Sequence, residues 1–161
     1  MLKQNQEIVT RFERLLSSYQ KIAMFLLMPS LISAFSTAVL LFNKQYNLTL
    51  SMGIILAFRP LIPSEQDFAL LLIALGVLVP FVVLGLFAAK GKLWCYLTGI
   101  GLYLADLIVG LILGDPTSVS RYIIMIVIHA VFLIAFAVGL IFYFKADKLL
   151  KAHPDAILHK E

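Results

Sequence analysis

Residues 122–144 decide the fold class, and they read YIIMIVIHAVFLIAFAVGLIFYF. His129 is the one acidic, basic or histidine residue in this stretch. About 20 apolar residues are enough to cross the hydrocarbon core of a bilayer as an α-helix. Three further stretches meet this requirement, at about 22–42, 68–89 and 93–114, and Asp106 is the only charged residue in them. The sequence therefore predicts an all-α fold, an integral membrane bundle of four transmembrane helices.

The composition of the whole chain supports this class. The 161 residues are 61% hydrophobic and 14% charged, whereas a soluble domain is about 45–50% apolar and about 25% charged. A soluble fold of this length cannot bury such an excess of apolar surface. Cys95 is the only cysteine, so paired-cysteine zinc sites and intrachain disulfides are excluded.

The distribution of Lys and Arg predicts the orientation. Ten of these residues fall on the side that holds both termini and the turn between the second and third spans, and three fall on the opposite side. The first set is Lys3, Arg11, Arg14, Lys21, Lys90, Lys92, Lys145, Lys148, Lys151 and Lys160; the second is Lys44, Arg59 and Arg121. The positive-inside rule then places both termini in the cytoplasm. The basic charge is explained by topology, and we expect no nucleic-acid partner.

The segments flanking the spans complete a single membrane domain over 1–161. Within residues 1–21 and just beyond, apolar residues recur every three or four positions, at Ile8, Phe12, Leu15, Tyr19 and Ile22. This spacing predicts an N-terminal amphipathic helix in the membrane interface. Residues 145–161 are predicted to form a cytoplasmic tail.

The connection at 43–67 lies on the outer side in this topology. Its apolar run, 48–58, is too short to span a bilayer and ends at Arg59-Pro60. We expect a segment that either lies in the outer interface or re-enters the membrane over the mouth of the bundle.

Asp106 is the most costly residue to place in a bilayer, since a carboxylate at mid-span costs about 2.5–3.5 kcal/mol on insertion scales. It should face the bundle interior, on a helix stripe of small and polar residues made of Gly99, Tyr103, Asp106 and Gly110. Gly110 and Gly114 have GxxxG spacing, which lets a neighbouring helix approach closely.

His129 is the predicted partner of Asp106. Each residue lies eight positions inward from the short loop between the third and fourth spans, about 12 Å along its helix. Helices joined by so short a loop should pack antiparallel as neighbours. We therefore predict that the two side chains contact each other in the outer half of the bundle.

The pair has several interpretations. It forms either a structural clamp that fixes the helix register, a proton-relay step, a substrate-binding pair or half of a metal site. No second His or carboxylate lies in a span, so we expect neither a metal nor a cofactor. For a clamp, Asp106→Asn should keep the fold because an amide oxygen still accepts a hydrogen bond.

Two further residues are candidates for supporting roles. Tyr103 shares the stripe that carries Asp106, and Arg59 either snorkels to the outer headgroups or offers positive charge to an anionic ligand. Separately, Pro80 inside the second span predicts a kink near 76–80.

The C-terminal half contains Lys90-Gly91-Lys92, Trp94, the run 102–106, His129 and the aromatic exit 142–145. In these features it resembles a group of small bacterial four-helix integral membrane proteins of uncharacterised function. The resemblance implies a bacterial plasma (inner) membrane location and the same topology, and it implies no activity.

Catalytic signatures such as Gly-x-Ser-x-Gly or His-Glu-x-x-His do not occur in the sequence. We therefore expect a non-enzymatic accessory or structural subunit of a membrane complex, or a homo-oligomer, associated through small-residue helix faces. The alternative is a small transporter or proton-coupled carrier using Asp106 and His129. A third hypothesis is an intramembrane lipid-modifying enzyme. The lipid bilayer is the partner in all three.

Overall fold

The computed structural model describes residues 2–42, 53–63, 66–113 and 119–158, and every regular element within these ranges is helical. Four helical stretches are long and apolar enough to cross a membrane: Asn5–Phe42, Phe68–Ala89, Leu93–Leu113 and Tyr122–Ala152. For the described residues, the all-α class is thus confirmed, as is the presence of four helices long and apolar enough to be the predicted spans. The helices are α1 (Leu2–Met24), α2 (Leu27–Phe42), α3 (Gly53–Phe58), α4 (Asp67–Ala89), α5 (Leu93–Leu113), α6 (Val119–Ala152) and α7 (Pro154–Leu158).

The first predicted span is not one helix. It is divided at Phe25 and Leu26, between α1 and α2. Pro29 has no N–H to donate to the carbonyl of Phe25, and its ring would clash with that carbonyl in a straight helix. The Met28 N–H donates to the Phe25 carbonyl instead, at 3.1 Å. The chain therefore forms a tight turn at Phe25 and Leu26 before it continues as α2.

Helix α1 packs mainly along α6 and also contacts α4 and α7. The ring of Tyr19, on the predicted apolar stripe, lies 5.1 Å from the ring of Tyr143. Helix α6 has 34 residues, a length of about 51 Å, which exceeds the roughly 30 Å hydrocarbon core. The segment predicted as a tail thus begins as a continuation of α6, and α1 lies against it.

Helices α4 and α5 are joined by a tight turn at Lys90-Gly91-Lys92. Gly91 has φ of +85°, which a residue without Cβ adopts at little cost. The Lys92 N–H donates to the Phe87 carbonyl at 3.1 Å, and the Gly91 N–H donates to the Ala88 carbonyl at 2.9 Å. These two bonds form a Schellman motif, so Gly91 both ends α4 and reverses the chain.

Helices α5 and α6 run antiparallel, as predicted. The Tyr96 hydroxyl near the start of α5 donates to the Phe136 carbonyl at 3.0 Å. Farther along α5, Gly110 meets Met125, which lies nearer the start of α6. Helix α4 stays helical through Pro80, and the bend at that proline stays a prediction.

Candidate functional site

The structure brings Asp106 and His129 together inside the bundle. His129 Nε2 lies 3.3 Å from Asp106 Oδ2, at the long end of hydrogen-bonding distances. Asp106 is 6% exposed and His129 is 3% exposed, so neither side chain points at lipid. The small-residue stripe around Asp106 also faces inward, because Gly99, Tyr103 and Gly110 are all buried.

The closest partners of Asp106 were missed by the sequence reasoning. The Gly53 N–H donates to Oδ2 at 2.8 Å, and the Ile54 N–H donates to Oδ1 at 2.9 Å. These are the first two amides of α3, and the first N–H groups of a helix have no partner within it. A carboxylate there is also favoured by the positive end of the helix dipole. Asp106 therefore holds the start of α3 onto α5.

Two glycines make this contact sterically accessible. A Cβ built on Gly53 would overlap the Asp106 carbonyl oxygen and would stand 2.7 Å from the Gly110 backbone nitrogen. A Cβ on Gly110 would stand 2.8 Å from Gly53 Cα and 2.9 Å from Met125 Sδ. Gly110 thus lets two neighbouring helices approach closely: the backbone of α3 and the Met125 side chain of α6. Gly114 lies outside the described residues.

The position of α3 bears on the two interpretations of the 43–67 connection. Asp106 is seven residues before Leu113, the end of α5, about 10 Å inward along the helix. Gly53 reaches this depth, and Ile55 is fully buried. Gly53, Ile55 and Ala57 of the apolar run are buried, whereas Phe58 is exposed, so the start of α3 lies inside the bundle, which favours re-entry. Residues 48–52 lie outside the described part of the chain.

The hydrogen-bond partners of the pair indicate where its protons lie. His129 Nδ1 lies 2.8 Å from the Met125 carbonyl oxygen. A carbonyl can only accept, so Nδ1 carries a proton. Nε2 then faces Oδ2, and a hydrogen bond between these two atoms requires one further proton, on the imidazole or on the carboxyl group. The pair is consequently satisfied by one shared proton.

Tyr103 completes the surroundings of His129. The two rings are stacked, with centroids 4.6 Å apart and planes 13° from parallel. The Tyr103 hydroxyl is buried and has no hydrogen-bond partner among the described residues. The Tyr103 ring therefore lies directly against His129.

Arg59, the other supporting candidate, lies at the far end of α3. It belongs to the 3₁₀ turn Arg59–Leu61 that follows this helix. Six residues separate it from Gly53, about 9 Å along a helix axis. It is half-buried and lies at the exit of α3.

The described residues hold no group of three or more His, Cys, Asp or Glu side chains that could bind a metal ion. Asp106 and His129 offer two such ligands, and both are engaged by protein atoms. The arrangement can hold a helix terminus and a proton. In comparisons with known proteins, no family model, no curated protein and no solved structure matches this chain.

Proposed function

We propose that this chain is a non-enzymatic, multi-pass membrane protein that serves as an accessory or structural subunit, or forms a homo-oligomer. In it the Asp106–His129 pair acts as a structural clamp. One observation carries this proposal: partners from the chain itself engage every polar side-chain atom of the pair. Asp106 Oδ1 accepts from the Ile54 N–H, and Oδ2 accepts from the Gly53 N–H and faces His129 Nε2. His129 Nδ1 donates to the Met125 carbonyl.

The energetic role of the clamp follows from its location. Backbone N–H groups without partners cost several kcal/mol each in a bilayer. The carboxylate removes that cost for the first two amides of α3, and α3 in turn supplies donors to a charge that is expensive in a bilayer. The carboxylate and the two amides therefore each lower the cost of burying the other, as expected of a contact with a structural role.

An outward-facing surface on α5 supports association with another helix. Gly101 is exposed, and a Cβ built on it meets nothing within 4 Å. Ala105, one turn later, is exposed as well. Small residues four positions apart allow close helix packing in membranes. This surface is separate from the buried stripe that carries Asp106.

The proposed topology places both termini in the cytoplasm of a bacterial inner membrane. It rests on the ten-to-three distribution of Lys and Arg and on the resemblance to the bacterial group. In this orientation α1 and the end of α6 form an antiparallel pair at the cytoplasmic boundary. The exposed charges of α1, among them Arg11, Arg14 and Lys21, suit the headgroup region.

The test is association of the full chain in mild detergent, measured as the mass of the purified particle by light scattering. We expect a mass above the 17.9 kDa of one chain, from further copies or from a stoichiometric partner. Gly101→Leu should reduce that association, and Leu102→Ile, a matched change beside it, should not. A strictly monomeric particle from native membranes would refute the proposal.

A proton-coupled carrier is the second candidate, favoured by the proton that lies between His129 Nε2 and Asp106 Oδ2. Its test is proton flux into vesicles loaded with a pH-sensitive dye. Flux that depends on a co-substrate, and that Asp106→Asn abolishes while the protein stays folded, would support a carrier.

A further inference from the structure

Three cations lie along one exposed face of α1. Arg11, Arg14 and Lys21 are spaced by three and seven residues, and all three are exposed. Because a helix repeats every 3.6 residues, this spacing places them in one stripe, which we term the basic face of α1. Ser18 lies in the same stripe between Arg14 and Lys21, and Glu7 lies at its outer end, one turn before Arg11. Among the described residues, none of the three cations takes part in an ion pair, so their charge is available to an anion from outside the chain.

The basic face adjoins an exposed apolar surface at the end of α1 and the start of α2. Its members are Met24, Phe25, Met28, Leu31 and Phe35, all of which are exposed. From Lys21 onward, positions 25, 28, 31 and 35 follow at intervals of three or four residues, so the apolar surface continues along the chain from the basic face. It extends over about 16 Å from position 24 to position 35, which is about half of the roughly 30 Å hydrocarbon core. The apolar surface is therefore as long as one leaflet is thick.

The basic face lies at the depth of the lipid headgroups. The Tyr19 ring contacts the ring of Tyr143, one residue before the apolar run of α6 ends at Phe144. Lys21 lies two residues from Tyr19 toward the spans, and Arg14 lies five residues from it in the other direction, which are about 3 Å and about 8 Å along the helix. The headgroup layer is about 5–7 Å thick on each side of the core. The two cations thus lie on either side of the level at which α6 becomes polar, and their long side chains can reach the headgroups.

We propose that the basic face of α1 binds the headgroup of an anionic phospholipid, whose acyl chains pack on the apolar surface of α1 and α2. Arg14 and Lys21 donate hydrogen bonds to phosphate oxygens, and the planar guanidinium of Arg14 can donate two in parallel. The charge selects an anionic lipid, because the cationic group of a zwitterionic headgroup is repelled by the same residues. The apolar surface beside the cations selects a lipid over a soluble anion. The site goes beyond the proposed function, since it concerns the lipid around one chain and requires neither a partner nor the Asp106–His129 pair.

A single tryptophan on the apolar surface reports which lipid lies there. Trp94 is the only tryptophan of the chain, so Met28→Trp in a Trp94→Phe background gives one fluorophore at an exposed position. The full chain is placed in phosphatidylcholine vesicles that contain either brominated phosphatidylglycerol or brominated phosphatidylcholine, and bromine quenches an adjacent tryptophan. We expect phosphatidylglycerol to quench several-fold more strongly at equal content. Equal quenching by the two lipids would overturn the proposal, and Phe35→Trp gives the same readout if Met28→Trp does not fold.

Substitution of single cations separates a site from a diffuse positive surface. Arg14→Gln and Lys21→Gln should each lower the preference for phosphatidylglycerol about five-fold, and salt at about 1 M should weaken it as well. Lys148→Gln is the matched control, because Lys148 is an exposed cation of α6 that lies five residues from Tyr143, as Arg14 does from Tyr19. Equal losses in Lys148→Gln and Arg14→Gln would overturn the site.

Inorganic phosphate distinguishes a lipid from a soluble anion. Added to the vesicles at constant ionic strength, it should leave the quenching by brominated phosphatidylglycerol unchanged, because it has no acyl chains to pack on the apolar surface. Displacement of the lipid by inorganic phosphate would overturn the proposal. Each of these results leaves the mass of the purified particle, and with it the proposed function, to its own test.

Discussion

Asp106→Asn should destabilise the protein, although the sequence alone favours a neutral outcome. The sequence indicates one partner, His129, and an amide can satisfy one partner. The structure shows two additional backbone donors, from Gly53 and Ile54, one on each carboxylate oxygen. Asn has a single carbonyl oxygen, and its NH₂ group would face one of these N–H groups. Whichever way the amide is turned, a buried donor loses its acceptor.

The size of the effect follows from that count. One buried donor without an acceptor costs about 1–3 kcal/mol, so Asp106→Asn should lower the free energy of unfolding by that amount. Asp106→Leu removes two charge-assisted bonds to amides, which are worth roughly 1.5–3 kcal/mol each, and should cost about 3–6 kcal/mol. For a chain of this size each kcal/mol corresponds to about 2–4 °C in Tm.

Thermal unfolding in detergent measures these shifts, and a labelling experiment locates them. Ile55, fully buried in α3, is changed to cysteine in a Cys95→Ala background. The thiol at position 55 should react slowly with a water-soluble reagent when Asp106 is intact and faster when Asp106→Asn is added, since α3 is then held less firmly. Asp147→Asn is the control, because its bond to the exposed Lys151 side chain is screened by solvent and contributes little to stability. An Asp106→Asn protein with an unchanged Tm and an unreactive Ile55→Cys thiol would refute the capping argument.

Three other predictions concern the backbone and the topology. Gly53→Ala should cost about 1–3 kcal/mol or more of stability in thermal unfolding, because its Cβ meets the backbone of α5, whereas Gly76→Ala, whose Cβ meets nothing, should be neutral or stabilising. Cysteines placed at exposed positions of the 43–67 connection, such as Leu61, should react with an impermeant reagent from outside intact cells and cysteines placed in 90–92 should not; the reverse pattern would invert the topology. Pro80→Ala should straighten α4, seen as a longer distance between spin labels at its two ends, and an unchanged distance would mean that no kink above about 20° exists there.

The spans were predictable because their signal is local. A run of apolar residues of sufficient length has few alternatives to a membrane helix, and the turn at 90–92 carries its own signature in Gly91. The break before α2 also has a local cause, since Pro29 cannot continue the hydrogen bonding of α1. The predicted span at 22–42 rested on the length of the apolar run and gave this proline no weight.

The contact between Asp106 and α3 had no comparable signal. Backbone amides carry no side-chain identity, so nothing in the sequence marks Gly53 as a donor to a residue 53 positions away. The available hint was steric: Gly53 lies within an apolar run and Gly110 lies one turn after Asp106, and two glycines permit two backbones to meet. His129 could be predicted as a partner because it lies at the same depth as Asp106 on a neighbouring antiparallel helix.

The amphipathic stripe of α1 illustrates a different limit. An apolar stripe predicts that one face of a helix is buried, and lipid and protein satisfy that requirement equally well. In the structure Tyr19 is buried between Tyr96 and Tyr143, so this part of the stripe faces protein. Helix α6 is long enough to provide a protein surface for α1. The predicted span ended at residue 144, so the sequence did not indicate this surface.

The two functional interpretations of the pair place opposite demands on α3. A clamp requires α3 to stay, because its amides neutralise the cost of the buried carboxylate. A carrier must expose the pair to each side of the membrane in turn, and exposure on the Leu113 side requires the amides of Gly53 and Ile54 to leave Asp106. Their release would leave two N–H groups without partners and the carboxylate with His129 alone inside the bundle, so these bonds oppose movement of α3. The structure therefore favours the clamp unless another acceptor replaces Asp106 when α3 moves.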